Sequence, residues 1–135
     1  MRLSALAEAH LGLGDTDKAR RLVGEALASV AAGRSQRYVE IDAQVALARI
    51  LMDSPGAAAR TEIEAALSRA LEVARQLEAK AYEPIVHEAM ANLARLMGDE
   101  EERERELREA HRLFTEIGAS AHAQRLTAEL PLLAS

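Results

Sequence analysis

The stretch LARLMGDEEERERELREAH, Leu93 to His111, runs from an apolar segment through a Gly-Asp step into a dense block of charge. Gly98 suits the left-handed position just after a helix end, and Asp99 suits the N-cap of the next helix. Asp99 and Glu102 together match a capping box, in which the two side chains satisfy each other's orphan backbone N–H groups. From Glu100 onward the apolar residues Leu107, Ala110, Leu113, Phe114 and Ile117 recur at intervals of three and four, which traces one face of a helix. The charged residues fill the remaining positions. Glu100, Glu101 and Glu102 lie in the first turn, where the helix dipole favours negative charge, and Glu104 precedes Arg108 by four residues, the spacing of an ion pair along a helix. The block therefore reads as the solvated side of a helix, and the whole stretch as helix, turn, helix.

The same phrase occurs three times. LAEAHLGLGD (Leu6 to Asp15), QVALARILMD (Gln44 to Asp53) and MANLARLMGD (Met90 to Asp99) align without gaps, each closing on Asp and each followed by a second helix-like segment. Gly14 and Asp15 repeat the stop and start of Gly98 and Asp99, Gly33 with Ser35 is a similar punctuation, and Ser54-Pro55-Gly56 predicts a longer loop. The spacing predicts six helices at about 2–13, 16–32, 36–53, 58–78, 81–97 and 100–117, and Gly118 separates a seventh at about 120–130.

Composition agrees with an all-α chain. Of 135 residues 49% are hydrophobic but only 2% aromatic, the apolar share being mostly Ala and Leu. Ala, Leu, Arg and Glu are strong helix formers, and small side chains let helices approach closely. The length fits one domain, 1–135. Tyr38, Tyr82 and Phe114 are the only aromatics, so there is little with which to stack bases or sugars, and a net charge of −5 repels phosphate backbones; nucleic acid is not expected as a direct partner. The chain has no Cys, which excludes disulfides and thiol chemistry and points to a reducing, cytoplasmic location. No apolar run approaches the roughly 20 residues of a membrane span, and MRLSALAEAH lacks the long apolar core of a signal peptide.

With these features the chain resembles the tetratricopeptide-repeat family. Leu6, Ala7, Gly14, Ala19, Val23 and Ala26 fall on the family's signature positions in the first unit, and Ala91, Gly98, Leu107 and Ala110 in the third. The intervals from Leu6 to Gln44 and from Gln44 to Met90 are 38 and 46 residues, against about 34 in the family. Arg103 stands where a small residue is usual, Met52 replaces a turn Gly, and the usual Trp, Tyr and Pro marks are missing. The long units, and the phrase AHRLFTEIGASAHAQRLTAEL, look like degenerate repeats in the C-terminal regions of large bacterial regulators. The resemblance implies stacked antiparallel helix pairs, about three helix-turn-helix units plus a C-terminal capping helix, forming a solenoid that is a segment of a larger protein.

The resemblance also implies a function: a non-catalytic interaction or scaffold module that holds a peptide or a neighbouring domain on its concave face. The family's groove positions fall on Ser4, Glu8 and Leu11 in the first unit, on Asp42 and Arg49 in the second, and on Glu88, Asn92 and Arg95 in the third. Arg49 and Arg95 occupy the same place in aligned units, and two guanidinium forks at neighbouring heights suit the carboxylates of an acidic segment or a chain terminus; equally, each can pair with a Glu or Asp of its own chain. The competing expectation is a small-molecule sensor with an apolar pocket between helices, because numerous Ala residues serve close packing and open space alike. Leu126, Leu130, Leu132 and Leu133 make an apolar end, from which a homodimer is expected.

Signs of catalysis are missing. His10, His87, His111 and His122 are scattered one to a segment; HEAMA at His87 places Ala91 where a zinc-protease helix needs its second His. Glu83 and His87 share a helix face, and such a pair is more often an ion pair than a metal site. GLGD at Gly12 follows no strand and reads as a helix C-terminus, and no serine has a nucleophile-elbow context. Ser35 and Ser54 read as cap or turn residues, and Met52, Met90 and Met97 as core filling. No enzyme activity, cofactor or metal is expected.

Overall fold

The computed structural model describes residues 16–33, 36–53 and 55–129. They form six α-helices: α1 (Thr16–Ala31), α2 (Arg37–Asp53), α3 (Arg60–Gln76), α4 (Glu83–Leu96), α5 (Glu100–Glu116) and α6 (Ser120–Glu129). The expected helix at 2–13, with Gly14 and Asp15, lies outside the described residues, as do Ser35 and Ser54. The longer loop of the second unit is a short 3-10 turn, Gly56–Ala59, leading into α3. None of the helices is long and apolar enough to cross a membrane.

Each helix packs on the next along the chain, and α2 also touches α4. Arg37, at the start of α2, donates to Gln76, the last residue of α3, at 2.5 Å, and Glu40 one turn on accepts from Arg69 at 2.7 Å, so these two helices run antiparallel. His87 of α4 meets Glu106 of α5 at 2.6 Å across the Gly98 turn, which fixes the same sense for that pair.

The turns follow backbone chemistry. At the end of α4, Gly98 takes φ +76°, its N–H donates to the Arg95 carbonyl, and the Asp99 N–H donates to the Ala94 carbonyl at 2.8 Å. This is the Schellman arrangement, which satisfies carbonyls left over at a helix end. Gly118 repeats it with Thr115 and Phe114. So does Glu78, at φ +54°, with Arg75 and Ala74. The expected capping box is half formed. Asp99 accepts from the Glu102 N–H at 3.1 Å, but the reciprocal donor, the Asp99 N–H, is already taken by Ala94, and the Glu102 side chain turns instead to Arg105.

Three apolar clusters hold the helices. One joins α1 to α2 through Ala19, Val23, Ala43, Ala46 and Ile50. The largest joins α2, α3 and α4 through residues such as Ile41, Val45, Ile63, Leu67, Val73 and Val86. The third joins α4, α5 and α6 through Ala91, Leu107, Ala110, Phe114, Ala123 and Leu126. Of the alanines on the family's signature positions, Ala19, Ala91 and Ala110 are buried and Ala26 is half-buried against the first cluster, while Ala7 lies outside the described residues. The α5 stripe is narrower than its periodicity suggested: Leu107, Ala110 and Phe114 are buried, Leu113 is half-buried, and Ile117, just past the helix end, is 40% exposed. Leu126, counted with an apolar end, is fully buried instead, and Leu130, Leu132 and Leu133 lie outside the described residues.

Candidate functional site

A groove of about 780 Å³ runs between the C-terminal end of α2 and the middle and C-terminal end of α4. Arg49, Met52 and Asp53 line it from α2, and Glu88, Asn92, Arg95 and Leu96 from α4. Successive side chains three, four or seven positions apart share a helix face, which is why these residues project together. Both helices enter the groove with the same sense, because the antiparallel α3 lies between them in the chain.

Four of the five expected groove residues that the structure describes are brought together here: Arg49, Glu88, Asn92 and Arg95. The fifth, Asp42, is half-buried on α2 two turns before Arg49 and outside the groove lining. Ser4, Glu8 and Leu11 lie outside the described residues.

The four differ in how far they are committed to the fold. Arg95 and Asn92 are exposed on α4, and among the described residues the Arg95 side chain has no ion pair. Arg49 and Asp42 are half-buried and already engaged within the protein. Glu88 is held by Arg125 of α6 through two bonds of 2.6 and 2.9 Å. That hydrogen-bonded carboxylate also raises the Arg125 pKa above its ordinary value. A carboxylate at the groove wall is thus largely neutralised from behind, which leaves Arg95 as an exposed cation beside Asp53 and the already engaged Arg49.

The sequence pointed to Arg49, Glu88, Asn92 and Arg95 but not to Met52, Asp53 and Leu96. The signal was present in the spacing: Met52 follows Arg49 by three residues, and Leu96 follows Asn92 by four. Leu96 is 39% exposed. It gives the groove an apolar contact next to its charge.

The three described histidines are absorbed into the fold, and His10 lies outside the described residues. His87 is buried, and since the Glu106 carboxylate only accepts, Nδ1 of His87 carries the donated proton. Glu83, expected to share a face with His87, pairs instead with Arg75 at 3.5 Å. His122 stacks on Phe114 with ring centroids 4.7 Å apart, and His111 Nε2 lies 3.2 Å from the Thr127 hydroxyl. Among the described residues no group of three or more His, Cys, Asp or Glu is arranged to hold a metal ion. No protein-family model, curated protein or solved structure matches the chain.

Proposed function

We propose that the chain is a tetratricopeptide-like interaction module of a bacterial regulatory protein and that it binds a peptide or neighbouring domain along the α2–α4 groove. The observation that carries this reading is the convergence of Arg49, Asn92 and Arg95 on one open groove, with Leu96 exposed beside them. A planar five-donor guanidinium grips carboxylates bidentately, so an acidic segment or a chain terminus with an apolar neighbour is the matching ligand. A groove open along its length suits a polymer better than an enclosed small molecule, which favours this reading over a sensor pocket.

The test is to select peptides from a random library on the immobilised protein, then to measure their affinity for wild type and for the Arg49→Gln/Arg95→Gln variant by fluorescence anisotropy. The expected result is selected peptides rich in carboxylates and a loss of at least about tenfold in affinity, on the scale of one or more charge-assisted hydrogen bonds, with both proteins folded at the assay temperature and an unchanged thermal melt for the exposed Arg95→Gln alone. Equal binding to both proteins, or a loss that tracks unfolding, overturns the assignment.

A further inference from the structure

A second hollow lies on the other side of α4. With 3.6 residues per turn, Met90, Leu93 and Met97 point away from Glu88, Asn92 and Arg95. They form the floor of a cleft of about 290 Å³, together with Leu67 of α3 and Ala94. A further hollow of about 460 Å³, which shares Ser68 and Met90 with the first, continues it past Leu71 toward Gln76. The two make one furrow along α3, a helix of 17 residues or about 25 Å at 1.5 Å per residue. Ser68 and Ala94 are too small to close the space between α3 and α5.

The rim is acidic. Glu64 of α3 and Asp99, Glu102 and Glu106 of α5 and its cap line the deeper part, against Arg60 alone, and the shallower part adds Glu72 and Arg75, one charge of each sign. Glu106 is fixed in place: the buried His87 donates to it at 2.6 Å, and its side chain remains 16% exposed. Glu64 and Glu102 are anchored only by exposed arginines, Arg60 and Arg105, whose interaction water screens.

We propose that this furrow is a second docking surface, for an amphipathic helix of a partner protein that seats apolar side chains on the floor and sets flanking lysines or arginines against the carboxylate rim. The charge of the rim selects a basic partner. The shape selects a helix, because the furrow is a trough between the parallel helices α3 and α5, and a helix brings its own backbone hydrogen bonds. An extended segment would find no strand edge among the described residues to pair with. Two methionines in the floor, each half-buried, can rearrange to follow the shape of the entering side chains.

The probes are two 16-residue helical peptides with the same leucine face, one flanked by Lys and the other by Glu, titrated by fluorescence anisotropy. The Lys peptide is expected to bind saturably at one to one and the Glu peptide at least tenfold more weakly. Glu64→Lys/Glu102→Lys is expected to reverse that order, whereas the equally charged control Glu116→Lys/Glu129→Lys, on exposed residues away from the furrow, keeps it. Ser68→Arg, at an exposed position between the two hollows, should block the Lys peptide by at least tenfold while the melt stays unchanged. Arg49→Gln/Arg95→Gln should leave this binding intact, so the surface stands or falls apart from the α2–α4 groove. Equal sensitivity to the remote and the furrow reversals, or indifference to Ser68→Arg in a folded protein, overturns the proposal.

Discussion

Arg125 and Glu88 stand 37 positions apart and meet through paired bonds of 2.6 and 2.9 Å. The pair fastens α6 to α4, whereas the apolar contacts of α6 come mainly from Ala123 and Leu126 against Phe114 and its neighbours. Glu88 is mostly shielded and Arg125 about half exposed, so the bond is a partly screened one. A double-mutant cycle with Glu88→Ala and Arg125→Ala is expected to give a coupling of about 1 kcal/mol, at the upper end for surface pairs because both oxygens are engaged. A coupling indistinguishable from zero in denaturant melts would show that α6 is held by its apolar side chains alone.

Ala19 has no exposed surface and lies against Ala43, Ala46 and Ile50 of α2. Its smallness sets how closely α1 approaches. Leucine there should overpack the crossing and lower stability by about 1–3 kcal/mol. An unchanged thermal midpoint would mean that α1 does not rest on α2 through this residue.

The three Schellman turns differ in one residue type. Gly98 sits at φ +76° with open space where a Cβ would go, so Gly98→Ala meets only the backbone penalty, about 1 kcal/mol. Glu78 already bears that penalty at φ +54°. Glu78→Gly is accordingly expected to stabilise the fold, by about 0.5 kcal/mol after the extra freedom glycine gives the unfolded chain. Chemical denaturation of the two variants checks the pair, and shifts of the same sign would contradict it.

Arg112 donates to Glu109 and also pairs with Glu116. The hydrogen bond from Arg112 holds the Glu109 pKa below its ordinary value, with burial opposing. The folded state thus binds this proton less readily than the unfolded chain, and the contribution to stability is complete above the ordinary carboxylate pKa of about 4.3. It fades as the pH falls through the lower folded value. In an NMR titration the Glu109 carboxyl should move to a higher midpoint in Arg112→Gln, and the small stability gap between the proteins should narrow in acid. A midpoint that does not move would show that the pair is not formed in solution.

The helices were legible where local chemistry announces them. Gly98-Asp99 and Gly118 mark their ends, and the apolar spacing after Glu100 orients α5. The end of α3 was not legible in this way. Glu78 does the work of a glycine without being one, and the expected helix 58–78 stops at Gln76 and begins at Arg60 after a 3-10 turn. The family's groove positions, carried over through the repeat alignment, include four of the seven residues that line the α2–α4 groove, because equivalent positions on parallel helices face the same way. The bonds between distant side chains left no such trace. Nothing in the spacing of His87 and Glu106, or of Glu88 and Arg125, distinguishes these pairs from the other acid and base combinations the chain offers. The alignment also promoted Asp42, since it tracks helix phase and is blind to what neighbouring elements occupy.

Neighbour-on-neighbour packing has a kinetic meaning. When each helix finds its main partner one short turn away, closing the contact costs little chain entropy, and low contact order goes with rapid folding. As the chain leaves the ribosome, α2 can bury Ile41 and Val45 as soon as α3 has emerged, before α5 exists. Among the ion pairs described, Glu88 must wait longest for its partner, Arg125, so α6 is the piece expected to dock last and to open first.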